Sequence, residues 1–559
     1  MPGDTIIRGL LADRQQRRLI PAELTIRAGR IGRILPLDGA RDISGWPCIL
    51  PGFVDAHVHI ESSMVIPSQF ARMAVVHGTV ATVSDPHEIA NVCGIEGVDM
   101  MIRDGARTPF KFNFGAPSCV PATVFETAGD ALDSHAVATL LDRPEIRYLS
   151  EMMNFPGALQ GDPEVMAKIA AARQRGKPVD GHAPGLRGDD AKNYIARGIS
   201  TDHECFTAEE ALDKLGSGMK ILIREGSAAR NFDALVDLIK DHADMMMFCS
   251  DDKHPDSLVY GHINVLCARA AEKGIDPFDI INVACVNPVL HYDLDVGLLR
   301  EGDHADLILV KDLQSFQVIE TWIGGVKVAE HGKSLIEVGP QPYGTPAPKT
   351  VNRFSCSRKD PDQLAVEAGP DAQKEIPVME AMDGQLITNH LSLPVPVKDG
   401  LRVTDIHSDI LKLVVVNRYV DAPIAKAFIR GFGMKQGALA STVAHDSHNI
   451  VAVGVDDASI CRAINLIVDS RGGISCVNDE DEMVLPLPVG GLMSEDDGNR
   501  VAELYTLIDG LAKKNGSTLS APFMTLSFMA LLVIPALKLS DKGLFDGRMF
   551  RFVQGFEPA

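Results

Sequence analysis

Between residues 50 and 300, short apolar runs alternate with stretches of helical periodicity, and this alternation constrains the fold more than any other feature of the chain. The run at 80–84 leads into a helical stretch from Ile89, and the run at 148–152 leads into another at 163–175. Further runs fall at 178–182, 198–203 and 245–250. Consecutive parallel strands need a crossover between them, usually a helix, so the pattern predicts a parallel α/β fold. At this length the expected form is a TIM-like (β/α)8 barrel over residues 51–299.

Strand-like runs flank this region on both sides. Residues 5–11, 22–27 and 30–35 precede it, and residues 305–310, 315–319 and 322–328 follow. Neither set alone is large enough to bury a sheet face. One composite β-sandwich built from residues 1–50 and 300–338 is the economical expectation. Residues 338–349, with Gly339, Pro340, Pro342, Gly344, Pro346 and Pro348, read as a linker. An additional C-terminal α+β domain is expected over 350–559, with strands near 411–416 and 450–455 and a helix near 458–469. At 559 residues the chain is long enough for several cores.

A net charge of −21 disfavours nucleic acid and anionic membrane surfaces as partners, since both would repel the chain. The longest apolar stretch, 528–537, is interrupted by Pro535 and is too short to span a bilayer. The ten cysteines are scattered with no C-x-x-C pair, which argues against a disulfide scaffold and a zinc ribbon. Reduced thiols, and an amino terminus lacking an apolar signal segment, make the cytoplasm the expected location.

The strongest local signal is the segment Ile49-Leu50-Pro51-Gly52-Phe53-Val54-Asp55-Ala56-His57-Val58-His59-Ile60. Residues i and i+2 of a strand share a side, so His57 and His59 could bind one metal ion together. With 17 histidines among 559 residues, chance yields roughly 0.5 His-x-His pairs, so the pair alone decides little. Its place at the end of an apolar run raises its weight. Ligand-type residues then recur at the ends of later runs: Glu151, His182, His203 and Asp251. Each one singly reads as a core histidine or a solvated acid. Their recurrence at successive strand ends does not, because the carboxyl ends of all barrel strands open on one face.

Other positions are more ambiguous. His87 and Glu88 follow the second apolar run and could touch a substrate or a further metal, or form a salt-bridged loop. Glu204 and Asp252 adjoin candidate ligands and could orient them, but the favoured expectation is that they face away, because neighbouring strand residues point to opposite sides. His445 and His448 sit in Asp-, Ser- and Asn-containing sequence that reads first as an ordinary polar turn, the alternative being a turn that reaches the barrel mouth and helps close it over substrate. Gly431, Gly433 and Gly437 do not match the dinucleotide-binding fingerprint.

The segment from Pro51 to Met64, followed by Ser84-Asp85-Pro86-His87-Glu88-Ile89-Ala90-Asn91, resembles adenine deaminase of the amidohydrolase superfamily. Glu151-Met152-Met153-Asn154-Phe155-Pro156-Gly157, Asp180-Gly181-His182-Ala183-Pro184-Gly185 and Ser250-Asp251-Asp252-Lys253-His254-Pro255 extend the likeness. Ala444-His445-Asp446-Ser447-His448-Asn449 and Leu485-Pro486-Leu487-Pro488 resemble that family's final domain. The resemblance implies a site for two divalent ions, with Mn2+ or Fe2+ favoured over Zn2+. His57, His59 and Asp251 would hold one ion, His182 and His203 the other, and Glu151 would bridge them. It also implies hydrolytic deamination of adenine to hypoxanthine in purine salvage, with Asp251 moving the proton, and a homodimer. Two alternatives remain at this point: an amidohydrolase acting on another cyclic amidine or amide, and a non-catalytic scaffold. The P-C-x-x-C signature of the other nucleobase deaminases is absent.

Overall fold

The computed structural model describes residues 4–37, 39–40, 42–339, 351–369, 373–556 and 558. Most of the Pro- and Gly-rich stretch read as a linker therefore lies outside the described residues. Four strands lead in: β1 (Thr5–Asp13), β2 (Arg18–Arg27), β3 (Arg30–Pro36) and β4 (Cys48–Pro51). Eight follow in the central region: β5 (Phe53–Val58), β6 (Thr79–Ser84), β7 (Lys111–Ala116), β8 (Ile146–Met152), β9 (Val179–Gly181), β10 (Thr201–Asp202), β11 (Lys220–Arg224) and β12 (Met246–Cys249). Next come β13 (Leu307–Val310), β14 (Val318–Ile323), β15 (Val326–Glu330) and β16 (Lys333–Ser334).

The strands β5 to β9 pair in parallel and in chain order, and β10 to β12 do the same. Backbone bonds join the two sheets into a closed ring. Ser200 N–H donates to the Val179 carbonyl at 2.9 Å on one seam. On the other, Asp251 N–H donates to the His57 carbonyl at 2.9 Å and His59 N–H to the Asp251 carbonyl at 3.3 Å. The result is a (β/α)8 barrel. Its strands are rich in β-branched residues, as in Thr79-Val80-Ala81-Thr82-Val83-Ser84, and both β5 and β6 are buried along their whole length. That is the signature of parallel strands covered on both faces. Helices such as His87–Gly105, Pro163–Gln174 and Ile263–Glu272 form the outer layer. Asp162 caps the second of these by accepting from Glu164 N–H and Val165 N–H.

The flanking strands form one eight-stranded sheet in the order β16-β15-β14-β13-β4-β1-β2-β3. The pivot is β4, parallel to β1 and antiparallel to β13. One face carries its own apolar core, including Ile7, Leu24, Ile49, Leu307 and Trp322. From β4 the chain passes through Gly52 straight into β5. A Cβ at Gly52 would lie 2.3 Å from a methyl carbon of Val80, so only glycine lets the entering chain pass this close to β6.

The C-terminal region holds a second eight-stranded sheet, whose central pairs include Leu411–Val416 with Ile450–Gly454. The helices Asp457–Ser470 and Gly498–Lys514 accompany it. This region sits on the βα loops of the barrel. Ser494 N–H donates to the Met64 carbonyl at 2.8 Å, and the Tyr505 hydroxyl lies 2.6 Å from His254 Nδ1. Barrel and C-terminal side chains, among them Ile89 and Leu492, belong to one apolar cluster. Among the described residues, no helix is long and apolar enough to cross a membrane.

Candidate metal centre

All six residues expected from the sequence to bind metal converge at the carboxyl end of the barrel. His57 belongs to β5 and His59 follows it. Glu151 lies in β8, His182 and His203 come directly after β9 and β10, and Asp251 comes two residues after β12. Asp251 adopts φ 55°, a left-handed conformation that aspartate tolerates better than most residues and that turns the chain at the barrel rim. Every one of the six is buried.

Their ligand atoms form compact groups. His57 Nε2 and His59 Nε2 approach within 3.2 Å, and Asp251 Oδ1 lies 3.4 Å from the first and 3.2 Å from the second. Around Glu151, Oε2 is 2.9 Å from His182 Nδ1 and 3.1 Å from His203 Nε2, while Oε1 is 3.5 Å from His59 Nε2. Atoms held about 2.1 Å from one cation stand roughly 3.0–3.5 Å apart, so these edges suit divalent ions. His59 Nδ1 donates to the Asp85 carbonyl at 3.2 Å, which fixes the tautomer and leaves the Nε2 lone pair facing the group. Histidine nitrogens mixed with carboxylate oxygens are the donor set of manganese, iron or zinc, with no thiolate.

The charge balance agrees. Glu88, Glu151, Glu204, Asp251, Asp252 and Asp446 line the cavity, and Arg224 is the one guanidinium among them. Burial works against ionising these carboxyls. Nevertheless His182 and His203 hold Glu151 well below the usual carboxylate range, and Arg224, His57 and His59 do the same for Asp251. Burial likewise opposes protonation of His182, but Glu204 and Glu151 push it up to about 9. A pocket that recruits positive charge this strongly has the electrostatics of a cation site.

Four expectations about the surroundings need revision or completion. Glu204 does not face away: its Oε1 lies 3.6 Å from His182 Nδ1 and 3.5 Å from His203 Nε2. Asp252 also lines the cavity, and its Oδ1 accepts from the Ser62 hydroxyl at 2.5 Å. The alternation argument fails for both because β10 ends at Asp202 and β12 at Cys249, so neither residue is in a strand. His87 and Glu88 open the helix His87–Gly105 at the mouth, with His87 Nδ1 3.1 Å from Asp85 Oδ2 and 3.5 Å from Glu151 Oε1. His445 and His448 are more than an ordinary turn, for both reach Glu88.

Sequence reasoning missed Arg224, which ends β11 and pairs with Glu204 and with Asp251 Oδ2, the latter at 2.9 Å. An arginine closing the apolar run Ile221-Leu222-Ile223 was the available signal. It also missed the apolar lining from Leu386, Phe528 and Leu531, which no local pattern links to the barrel.

Residues 48–328 match the amidohydrolase family, and residues 385–551 match the adenine deaminase C-terminal domain. Over 558 residues the chain is 54% identical to an adenine deaminase of Salinibacter ruber, covering 100% of both chains. It is 52% identical to an adenine deaminase of Methanosarcina acetivorans, covering 98% of this chain and 99% of the relative. The adenine deaminase of Borreliella burgdorferi is 46% identical, with 96% and 97% covered. With likeness of this extent running through barrel and C-terminal region alike, the chain belongs to the adenine deaminase family of amidohydrolases.

Proposed function

We propose that this protein hydrolyses adenine to hypoxanthine and ammonia at the buried histidine–carboxylate cluster. The observation that carries the reading is the composition of one cavity. It brings His59, Glu151, His182, His203 and Asp251 together with Leu386, Phe528, Leu531 and Met153. The same cavity thus offers ionic groups and apolar surface to a flat heterocycle. Full-length kinship to adenine deaminases supports the choice of substrate.

His57, His59 and Asp251 would hold one divalent ion, His182 and His203 a second, with Glu151 shared between them. The imidazole and carboxylate donors suit manganese, iron or zinc, and the preference for Mn2+ or Fe2+ rests on the family resemblance. Such ions, when bound, supply a water of lowered pKa and stabilise negative charge in the transition state. The remaining work falls to the chain. Asp251 is ionised, with Oδ2 tied to Arg224 and Oδ1 facing His57 and His59. It takes a proton from the attacking water and returns it to the departing 6-amino group. Water thus contributes the new oxygen at C6, and its hydrogens leave on ammonia or stay on the ring of hypoxanthine. The apolar side chains exclude bulk water and stack against the ring. Glu88 and Asp252, both at the cavity wall, are acceptors for its N–H groups.

In this reading residues 51–299 carry the ligands, the composite sheet of 1–50 and 300–338 anchors the first barrel strand, and residues 350–559 cover the mouth. A cytoplasmic homodimer acting in purine salvage completes the proposal, and rests on the family resemblance. The test is ammonia release by manganese-loaded protein from adenine and other amino-purines, alongside ring opening of hydantoins followed by their N-carbamoyl product, with wild type and Asp251→Asn. Adenine is the expected preferred substrate, and the variant is expected to lose about 10²- to 10⁴-fold in kcat. A variant that retains metal and full rate defeats the proton role, and a preference for hydantoins defeats the substrate assignment.

A further inference from the structure

We propose that His445 and His448, supplied by the C-terminal region, are positioning residues of the deaminase site: they hold the Glu88 carboxylate in one orientation, where it accepts an N–H of the bound heterocycle. The inference rests on the deaminase reading and adds a recognition element to it.

Glu88 is the second residue of the helix His87–Gly105 and is 1% exposed. Its two oxygens are claimed separately. Oε1 accepts from His445 Nδ1 and Oε2 from His448 Nε2, across 357 and 360 residues of chain. The direction of the second bond is fixed by the backbone. Ala444 N–H donates to His448 Nδ1 at 3.2 Å, so that nitrogen is the acceptor and Nε2 carries the hydrogen given to Glu88. His445 is fixed differently, its ring stacked on Phe528 with centroids 5.2 Å apart.

Fastening the turn does not require Glu88. Tyr419 hydroxyl donates to the Ser447 carbonyl at 2.6 Å, Asn449 Nδ2 to the Thr127 carbonyl at 2.9 Å, and Arg418 N–H to Asn449 Oδ1 at 3.1 Å. A seam needing only cohesion would gain more from apolar packing than from a buried carboxylate with two imidazoles. What the arrangement does provide is a fixed acceptor. Burial alone would raise the Glu88 pKa, but His445, His448 and His87 hold it well below the usual range. An ionised carboxylate accepts only; Oε1 also has His87 Nε2 at 3.4 Å, while Oε2 keeps a lone pair beyond the one His448 uses. Glu88 and His445 both line the cavity that holds the candidate metal ligands. Adenine offers N–H groups on its exocyclic amine and on its five-membered ring, and these are the donors such a carboxylate reads.

The test uses the full-length, manganese-loaded protein and exploits the shapes of amide side chains. Asparagine places an N–H near the Nδ1 position of histidine, and glutamine near the Nε2 position. His445→Ala and His448→Ala are expected to raise KM for adenine roughly 10- to 100-fold, as for loss of a hydrogen bond to a charged group, with metal content unchanged. His445→Asn and His448→Gln are expected to recover most of that loss. Alanine variants with wild-type KM overturn the inference. So do Asn and Gln variants that lose as much as alanine while keeping their metal. If the alanine variants fail to fold, the amide variants decide alone: near-wild-type KM supports the inference, and a tenfold rise overturns it. A wild type that releases no ammonia from adenine overturns the deaminase reading as well, whereas indifferent variants of an active wild type overturn this inference only.

Discussion

Arg224 is sealed from solvent between Glu204 and Asp251, and its guanidinium is the one fixed positive charge among the cavity's six carboxylates. Removing one partner of a buried ion group leaves the others desolvated and unpaired. Arg224→Met is therefore expected to cost about 3–5 kcal/mol in chemical denaturation. Adding Glu204→Gln to that variant should recover part of the loss, because one of the two stranded charges is gone. At this scale the candidate ligands that converge at the barrel mouth were legible in the sequence where local geometry is regular. His57 and His59 share a side because β5 is a strand, and Glu151, His182, His203 and Asp251 mark strand ends. Glu204 and Asp252 were misjudged because the strands stop before them, and alternation has no force in the loops beyond.

The first barrel strand inherits its position from the flanking sheet. Strand β4 lies between β1 and β13, and Gly52 passes the chain across Val80 with no space for a side chain. Gly52→Ala forces a methyl group to within 2.3 Å of Val80 carbons, and overpacking of this kind typically costs about 1–3 kcal/mol. Because β5 carries His57 and leads into His59, the same variant should bind manganese more weakly, measured by metal retained through dialysis. Unchanged retention alongside reduced stability would show that β5 keeps its place independently of β4. The alternation of strands and helices was readable from periodicity, since strands such as β6 and β12 are short runs buried along their whole length. Closure of the ring was not: it depends on backbone bonds between Asp251 and residues 57 and 59, almost 200 positions away.

The C-terminal region and the third barrel loop meet over the mouth through polar contacts. Asp541 Oδ1 accepts from Thr127 N–H at 2.9 Å, and the Lys542 ammonium donates to the Glu126 carbonyl at 3.0 Å. Within this seam Glu126 is pushed up to about 8, first by burial and then by the charge of Asp446. Its folded pKa exceeds the unfolded value near 4.5, so the folded state binds the extra proton between these limits. This residue's contribution is neutral below about pH 4.5, grows unfavourable as pH rises to about 8, and is constant beyond. Glu126→Gln should therefore stabilise the protein at pH 8 by up to roughly a few kcal/mol and flatten the fall between pH 5 and 8, as followed by thermal unfolding. An identical pH profile in the variant would place the slope elsewhere.

Sequence alone determined the strand–helix alternation and the imidazole and carboxylate groups at successive strand ends, because each follows from short-range periodicity or from residue chemistry. Tertiary structure decided which groups share the cavity. Arg224 pairs with Asp251 across 27 positions, and His445 and His448 meet Glu88 across more than 350. Contacts of that kind leave no periodic trace in the chain, since they exist only after the barrel has closed and the C-terminal region has settled on its mouth.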